Sequence, residues 1–180
     1  SQNYISGDNF FFRDALHALL IGSHNEIAIA MADRVGVDKF IQRMNERAGV
    51  LGLNDTHFVN VTGLDPEIGS EEINYSTAAD IAKLLRYIFE NRADIFSVLE
   101  KSEYQFTDIY GVRKITVETT NELIKNQNSA LRVLGGKTGE TPRAKMNLSI
   151  VSDAPSRGRI VSAVIGSEDS FRDMQELLEY

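Results

Sequence analysis

Apolar positions in the first half of the chain recur at helical spacing. Phe12, Ala15, Leu16, Leu19 and Leu20 fall on one stripe, and Gly22 follows as a stop. Asn25 precedes residues 26–32, a run apolar nearly all round, which predicts a helix buried in a core. A third helix is predicted from about Asp38, with Phe40, Ile41, Met44 and Ala48 inward and Gly52 at its C′ position. Residues 54–74 read as loop, punctuated by Gly63, Pro66 and Gly69. Ser76 or Thr77 can then cap a helix whose stripe is Ile81, Leu84, Leu85, Ile88 and Phe89, with Asp80 as a first-turn charge.

After residue 100 the period changes to that of strands. Residues 104–107 and 112–117 flank Asp108-Ile109-Tyr110-Gly111 and read as a hairpin. Further strands are predicted at 131–138, 146–152 and 160–166, with a polar turn over 153–158. Residues 170–178 close the chain as an amphipathic helix with Phe171, Met174, Leu177 and Leu178 inward. Helices first and antiparallel strands later predict an α+β fold: one domain over residues 1–180, with 8–100 mainly helical and 101–180 mainly strand.

Composition narrows the function more than the fold. The chain has 180 residues, 42% apolar and 25% charged, with a net charge of −7. That is ordinary globular composition, and the lack of a basic stripe counts against nucleic acid as a partner. No run of 18 apolar residues occurs, so no membrane span is predicted. There is no Cys, which removes disulfides, zinc thiolates and a Cys nucleophile from consideration. His17, His24 and His57 lack the spacing of a helical metal motif, so neither metal nor other cofactor is expected. His17 is read as partly solvated on its helix, and His57 and Asn60 as residues that order the long loop.

Two short segments carry candidate chemistry. Ser23-His24-Asn25 lies on a tight connection between two helices, where a hydroxyl and an amide two residues apart can face one cleft. Ser and Asn are also favoured N-caps, so a purely structural role stays open. Gly135-Gly136-Lys137-Thr138-Gly139 follows an apolar strand. A phosphate-binding loop would need Gly at the position of Leu131 and a helix after Thr138, and Glu140-Thr141-Pro142 does not open one. The segment reads instead as a strand edge. Its glycines would let a ligand backbone approach, Lys137 would supply a cation, and Thr138 a hydroxyl, for an anionic group such as a carboxylate. A turn with a solvated Lys stands beside that reading.

The two segments in this order, S-x-N then K-T-G, are two of the three motifs of penicillin-recognising serine acyltransferases. The surrounding residues tighten the likeness. Leu19-Leu20-Ile21-Gly22-Ser23-His24-Asn25-Glu26-Ile27-Ala28 resembles that group's helix–SGN–helix run. Leu51-Gly52-Leu53-Asn54-Asp55-Thr56-His57-Phe58-Val59-Asn60, then Thr62-Gly63-Leu64-Asp65, is similar to its LGL-x-x-T-x-F-x-N…TGLD segment. Tyr75-Ser76-Thr77-Ala78-Ala79-Asp80 resembles YSTA-x-D, and Gly135 to Thr141 resembles GxKTGxT. From about Phe10 to the last helix the chain resembles the D-alanyl-D-alanine carboxypeptidases, the low-molecular-weight penicillin-binding proteins.

The resemblance implies a β-lactamase/transpeptidase-like fold and a set of roles. Ser23 would be the serine that relays a proton to the leaving group. Asn25 would hydrogen-bond the substrate amide, and Lys137 would supply positive potential and hold Ser23. Thr138 would bind the substrate carboxylate, with Thr141 assisting. Gly139 would let the peptide lie against the strand, and the Glu140 backbone N–H would serve as an oxyanion donor. Two departures stand out. His24 replaces the usual Gly of S-G-N, and would either narrow the cleft or point to solvent. Glu140 adds a negative charge beside an anion site, so its side chain is expected to face away. Ala144-Lys145-Met146-Asn147-Leu148 stands where the family often begins its next strand with AGYNL.

The third family motif, S-x-x-K, supplies nucleophile and base, and no Ser or Thr of this chain has Lys three residues later. The expectation is that the chain is the C-terminal portion of such an enzyme. It would lack the nucleophile helix and the N-terminal strands of the sheet, and would be inactive alone. A binding module that keeps the cleft without catalysis is the alternative. The implied partners are peptidoglycan stem peptides or β-lactams, the implied location is extracytoplasmic, and the unpaired edge of strand 160–166 predicts self-association.

Overall fold

The computed structural model describes residues 8–67, 70, 72–126, 132–154 and 157–179. Seven helices and five strands follow in the order α1 (Phe12–Gly22), α2 (Asn25–Asp33), α3 (Val37–Val50), α4 (Ala78–Asn91), α5 (Ala93–Leu99), β1 (Glu103–Thr107), β2 (Lys114–Glu118), α6 (Glu122–Lys125), β3 (Arg132–Thr141), β4 (Lys145–Ala154), β5 (Gly158–Ser167) and α7 (Ser170–Glu179). The predicted α+β fold is the one observed. Leu131, the start of the predicted third strand, lies outside the described residues, as do Gly69 of the loop and Pro155 and Ser156 of the predicted turn.

β3, β4 and β5 form an antiparallel sheet with β4 central. Alternate side chains of β4 serve two cores. Leu148 and Ile150 pack with Leu123, Ile124, Val133 and Met174, under α6 and α7. Val151 packs with Leu85, Phe96 and Leu99, under α4 and α5. A strand covered on both faces loses the polar alternation of a solvated one, and residues 148–152 are buried without a break. A separate β1–β2 hairpin packs on α1, α2 and α5 through Ala18, Ile21, Ile27, Val98, Phe106, Ile115 and Val117.

Local chemistry explains the element ends. α3 stops in a Schellman turn, with Gly52 at φ 69°, its N–H on the Gly49 carbonyl and the Leu53 N–H on that of Ala48. Thr77, rather than Ser76, caps α4 by accepting from the Asp80 N–H. The described residues of the loop over 54–74 have little regular structure, but asparagine side chains replace the missing ladder. Asn45 bonds the Phe58 N–H and C=O, and Asn74 accepts from the Val59 and Asn60 N–H groups. Asn60 accepts from the Thr62 and Gly63 N–H groups, as its loop-ordering role requires. Asp80 is more than a helix-end charge. It is buried and accepts from the Asp55 N–H and the Thr56 hydroxyl, tying the start of the loop to α4. Burial works to raise its pKa, but those donors and Lys83 outweigh it and hold the carboxyl below its ordinary value.

Four expectations need correction. On α7, Leu177 is not inward but 48% exposed, while Met174 is buried. α2 is not buried all round: Ile27, Ala28 and Ala32 are buried, while Ile29 and Ala30 are exposed. On α1, Phe12 is exposed and the buried positions are His17, Ala18 and Ile21. His17 is not solvated. Its ring stacks on Tyr104 at 4.0 Å between centroids, and its Nδ1 lies 2.8 Å from the Arg13 carbonyl oxygen, which gives a buried imidazole a polar partner.

Candidate active site

The α1–α2 corner and strand β3 meet where the two motifs lie. Ser23 ends α1 in the left-handed region, at φ 58° and ψ 41°. A non-glycine residue there carries about 1–2 kcal/mol of backbone strain. The cap reading does not hold: α2 has His24 as its N-cap with no side-chain cap bond, and Asn25 is already the first helical residue. The Ser23 hydroxyl instead accepts from Lys137 Nζ at 2.9 Å, across 114 residues of chain. Asn25 is half-buried on the first turn of α2, and its amide has no hydrogen bond to a described residue.

Lys137 does not behave as a solvated turn lysine. It is half-buried in β3 opposite Ser149, and its ammonium also donates to the Thr138 carbonyl at 2.9 Å. Burial lowers its pKa to about 8 from 10.5. Thr138 pairs with Leu148 in the ladder, and its hydroxyl meets that of Thr120. Glu140 is exposed, opposite Met146.

β3 runs three residues past its predicted end, to Thr141, because Gly139, Glu140 and Thr141 pair with Asn147, Met146 and Lys145. It is an edge strand, and among the described residues no strand pairs with its outer side. An edge of this kind can take an added peptide strand. Its three glycines do different work. A Cβ on Gly136 would meet the Ser149 carbonyl oxygen at 2.3 Å, and one on Gly135 would meet the Phe96 ring at 2.9 Å. These two serve close packing of β4 and α5 rather than ligand approach. A Cβ on Gly139 would meet nothing within 4 Å, so this glycine alone of the three faces open space.

The His24 ring turns back over the end of α1, a placement that was not among the expected ones. A Cβ on Gly22 would touch its Nε2 at 2.5 Å. Burial pulls its pKa below the ordinary histidine value, against the opposite pull of Glu26.

A family model described as D-alanyl-D-alanine carboxypeptidase matches residues 1–169. The chain belongs to that family. Among family members, the carboxypeptidase DacD of Escherichia coli is 30% identical over 166 residues, 91% of this chain and 39% of that protein. DacF of Bacillus subtilis is 32% identical over 167 residues, 89% of this chain and 39% of its own length. The chain thus spans about two fifths of the length of these two relatives. Among solved structures, variants of a Streptomyces DD-transpeptidase superpose with a TM-score of 0.84 at 28% identity, over 99% of this chain and 70% of that one. A D-alanyl-D-alanine carboxypeptidase of Mycobacterium tuberculosis gives 0.72 at 27% identity, over 86% and 56%.

Three further residues were given no individual role by sequence reasoning. Asp65 takes the Thr141 hydroxyl at 2.8 Å and the Arg143 N–H at 2.9 Å, pinning the β3–β4 turn to the long loop. The Thr141 hydroxyl, expected at the substrate carboxylate, is therefore engaged inside the protein, and it also accepts from the Ala144 N–H. Asn147 sits at a β4–β5 irregularity, where its amide donates to the Gly139 carbonyl and accepts from the Gly166 N–H. Thr120 touches Thr138. Asp65 and Asn147 stand inside quoted motif segments, whereas the only local signal at Thr120 is the capping run Thr119-Thr120-Asn121.

Proposed function

We propose that this chain forms the leaving-group and carboxylate side of the active site of a serine-type D-Ala-D-Ala carboxypeptidase. The substrate class is the peptidoglycan stem peptide, with β-lactams as its mimics, and the place of action is extracytoplasmic. The observation that carries the reading is the 2.9 Å bond from Lys137 to Ser23.

That bond supports one direction of proton flow. Ser23 accepts from Lys137, so its own O–H is free to donate outward. In peptide cleavage the leaving nitrogen needs a proton. Ser23 gives it, and Lys137, whose pKa near 8 lies close to neutrality, replaces it at Ser23 Oγ. Asn25, whose amide bonds none of the described residues, positions the substrate amide from the same corner. Thr138 and the charge of Lys137 take the terminal carboxylate. The peptide lies along the outer edge of β3 past Gly139, where the Glu140 N–H is the oxyanion donor. Thr141 acts through the turn it holds.

The chain has no Ser-x-x-Lys or Thr-x-x-Lys, so by itself it supplies no activated nucleophile. That observation favours one second reading, a module that binds the peptide without cleaving it. Incubation of the folded chain with benzylpenicillin, followed by intact-mass measurement, is expected to show no penicilloyl adduct. An NMR titration with an N-acylated D-Ala-D-Ala peptide is expected to shift Ser23, Lys137 and Gly139 amides. An adduct would show a nucleophile within these residues. No shift at the three amides would remove the binding site.

A further inference from the structure

Thr120 lies between β2 and α6, in a segment that is buried except at this residue. Thr119, 6% exposed, donates its N–H to the Ser102 carbonyl at 2.8 Å and accepts the Asn121 N–H on its hydroxyl. Asn121, 1% exposed, caps α6 by accepting from the Leu123 N–H at 3.1 Å. Both neighbours are thus locked into the backbone. The Thr120 side chain emerges from between them and is exposed, with its hydroxyl on that of Thr138, 18 residues further along the chain.

Two hydroxyls in contact hold two protons, and one is used in the bond between them. The other is left for a ligand and is strengthened as a donor by the bond its oxygen accepts. The adjoining Lys137 ammonium is anchored on the Thr138 carbonyl, which places a positive charge beside the pair. A single exposed Thr hydroxyl would rotate among staggered positions and lose part of its binding energy in being fixed.

We infer that Thr120 is a positioning residue of the carboxylate subsite: it donates to Thr138 Oγ1, so that the Thr138 proton is directed to an oxygen of the peptide's terminal carboxylate. This rests on the placement of that carboxylate at Thr138 under the function proposed above. It makes recognition of the terminus a property of the β2–α6 connection as well as of the K-T-G strand.

The test compares two N-acylated D-Ala-D-Ala peptides, one with a free terminal carboxylate and one with a terminal amide. Each is titrated by NMR into the chain and into its Thr120→Val and Thr120→Ser variants. The wild-type chain is expected to prefer the carboxylate. Thr120→Val should lose roughly 3- to 10-fold for the carboxylate peptide, the size of one hydrogen bond, and stay level for the amide. Thr120→Ser should keep the wild-type preference, since it keeps the hydroxyl. An equal loss for both peptides, no loss in the Val variant, or a loss in the Ser variant equal to that in Val would overturn the role of Thr120 while leaving the site reading intact. A wild-type chain that does not distinguish the two peptides would overturn the carboxylate subsite, and this inference with it. Thr120 is exposed, so both variants are expected to melt with the wild type, and Thr120→Ala repeats the Val arm with a smaller side chain.

Discussion

Lys137 carries a charge that burial makes conditional. With a pKa near 8 instead of 10.5, it is mostly charged at pH 7 and mostly neutral at pH 9. Binding of a carboxylate-terminated peptide is therefore expected to weaken by several-fold between those values, with the Lys137 side-chain carbon resonances titrating near pH 8. A midpoint above 10 would show a solvated ammonium. Stability moves the other way. Between about pH 8 and 10.5 the unfolded chain binds this proton and the folded chain does not, so folding is favoured as pH rises through that window. Ser23, Asn25, Lys137 and Thr138 could be picked out in the sequence as candidates because the motif places them by local spacing. Asp65 reaches Thr141 across 76 residues, and Thr120 reaches Thr138 across 18. Contacts of that kind exist only once elements pack, and no local pattern encodes them.

β3 shows how one element divides its residues between holding the fold and exposing a surface. Gly136→Ala is expected to destabilise the chain by about 1–3 kcal/mol, because its methyl would press on the backbone of β4 and not on a side chain that can move. Gly139→Ala should melt close to wild type and yet weaken peptide binding, since its methyl enters open space on the free edge. Equal melting temperatures for the two variants would contradict this division. Hydrophobic periodicity found the long helices and β4 because their apolar faces repeat. It missed α5, seven residues, and α6, four residues, which are too short to show a period and exist through packing on β3. α2 misled in the opposite direction: its apolar run is real, but only one side of it meets a core.

At the scale of the molecule, β5 is the second edge of the sheet, and among the described residues no strand pairs with its outer side. Ile165, 39% exposed, lies on it. We propose that the chain self-associates along this edge. Light scattering at tens of micromolar is expected to give a mass above the monomer, and Ile165→Lys to lower it. A monodisperse monomer would end the proposal. The bond between Ser23 and Lys137 has a further consequence at this scale. Its donor stands in the sheet, and its acceptor on a corner held by the separate core of α1, α2 and the hairpin. Neither core alone assembles the cleft, so a partly folded chain, however much secondary structure it holds, has no cleft to offer. A bound peptide, by touching both sides, becomes a non-covalent staple. Amide hydrogen exchange should then slow in α1 and in β3 together, although the two segments lie more than a hundred residues apart.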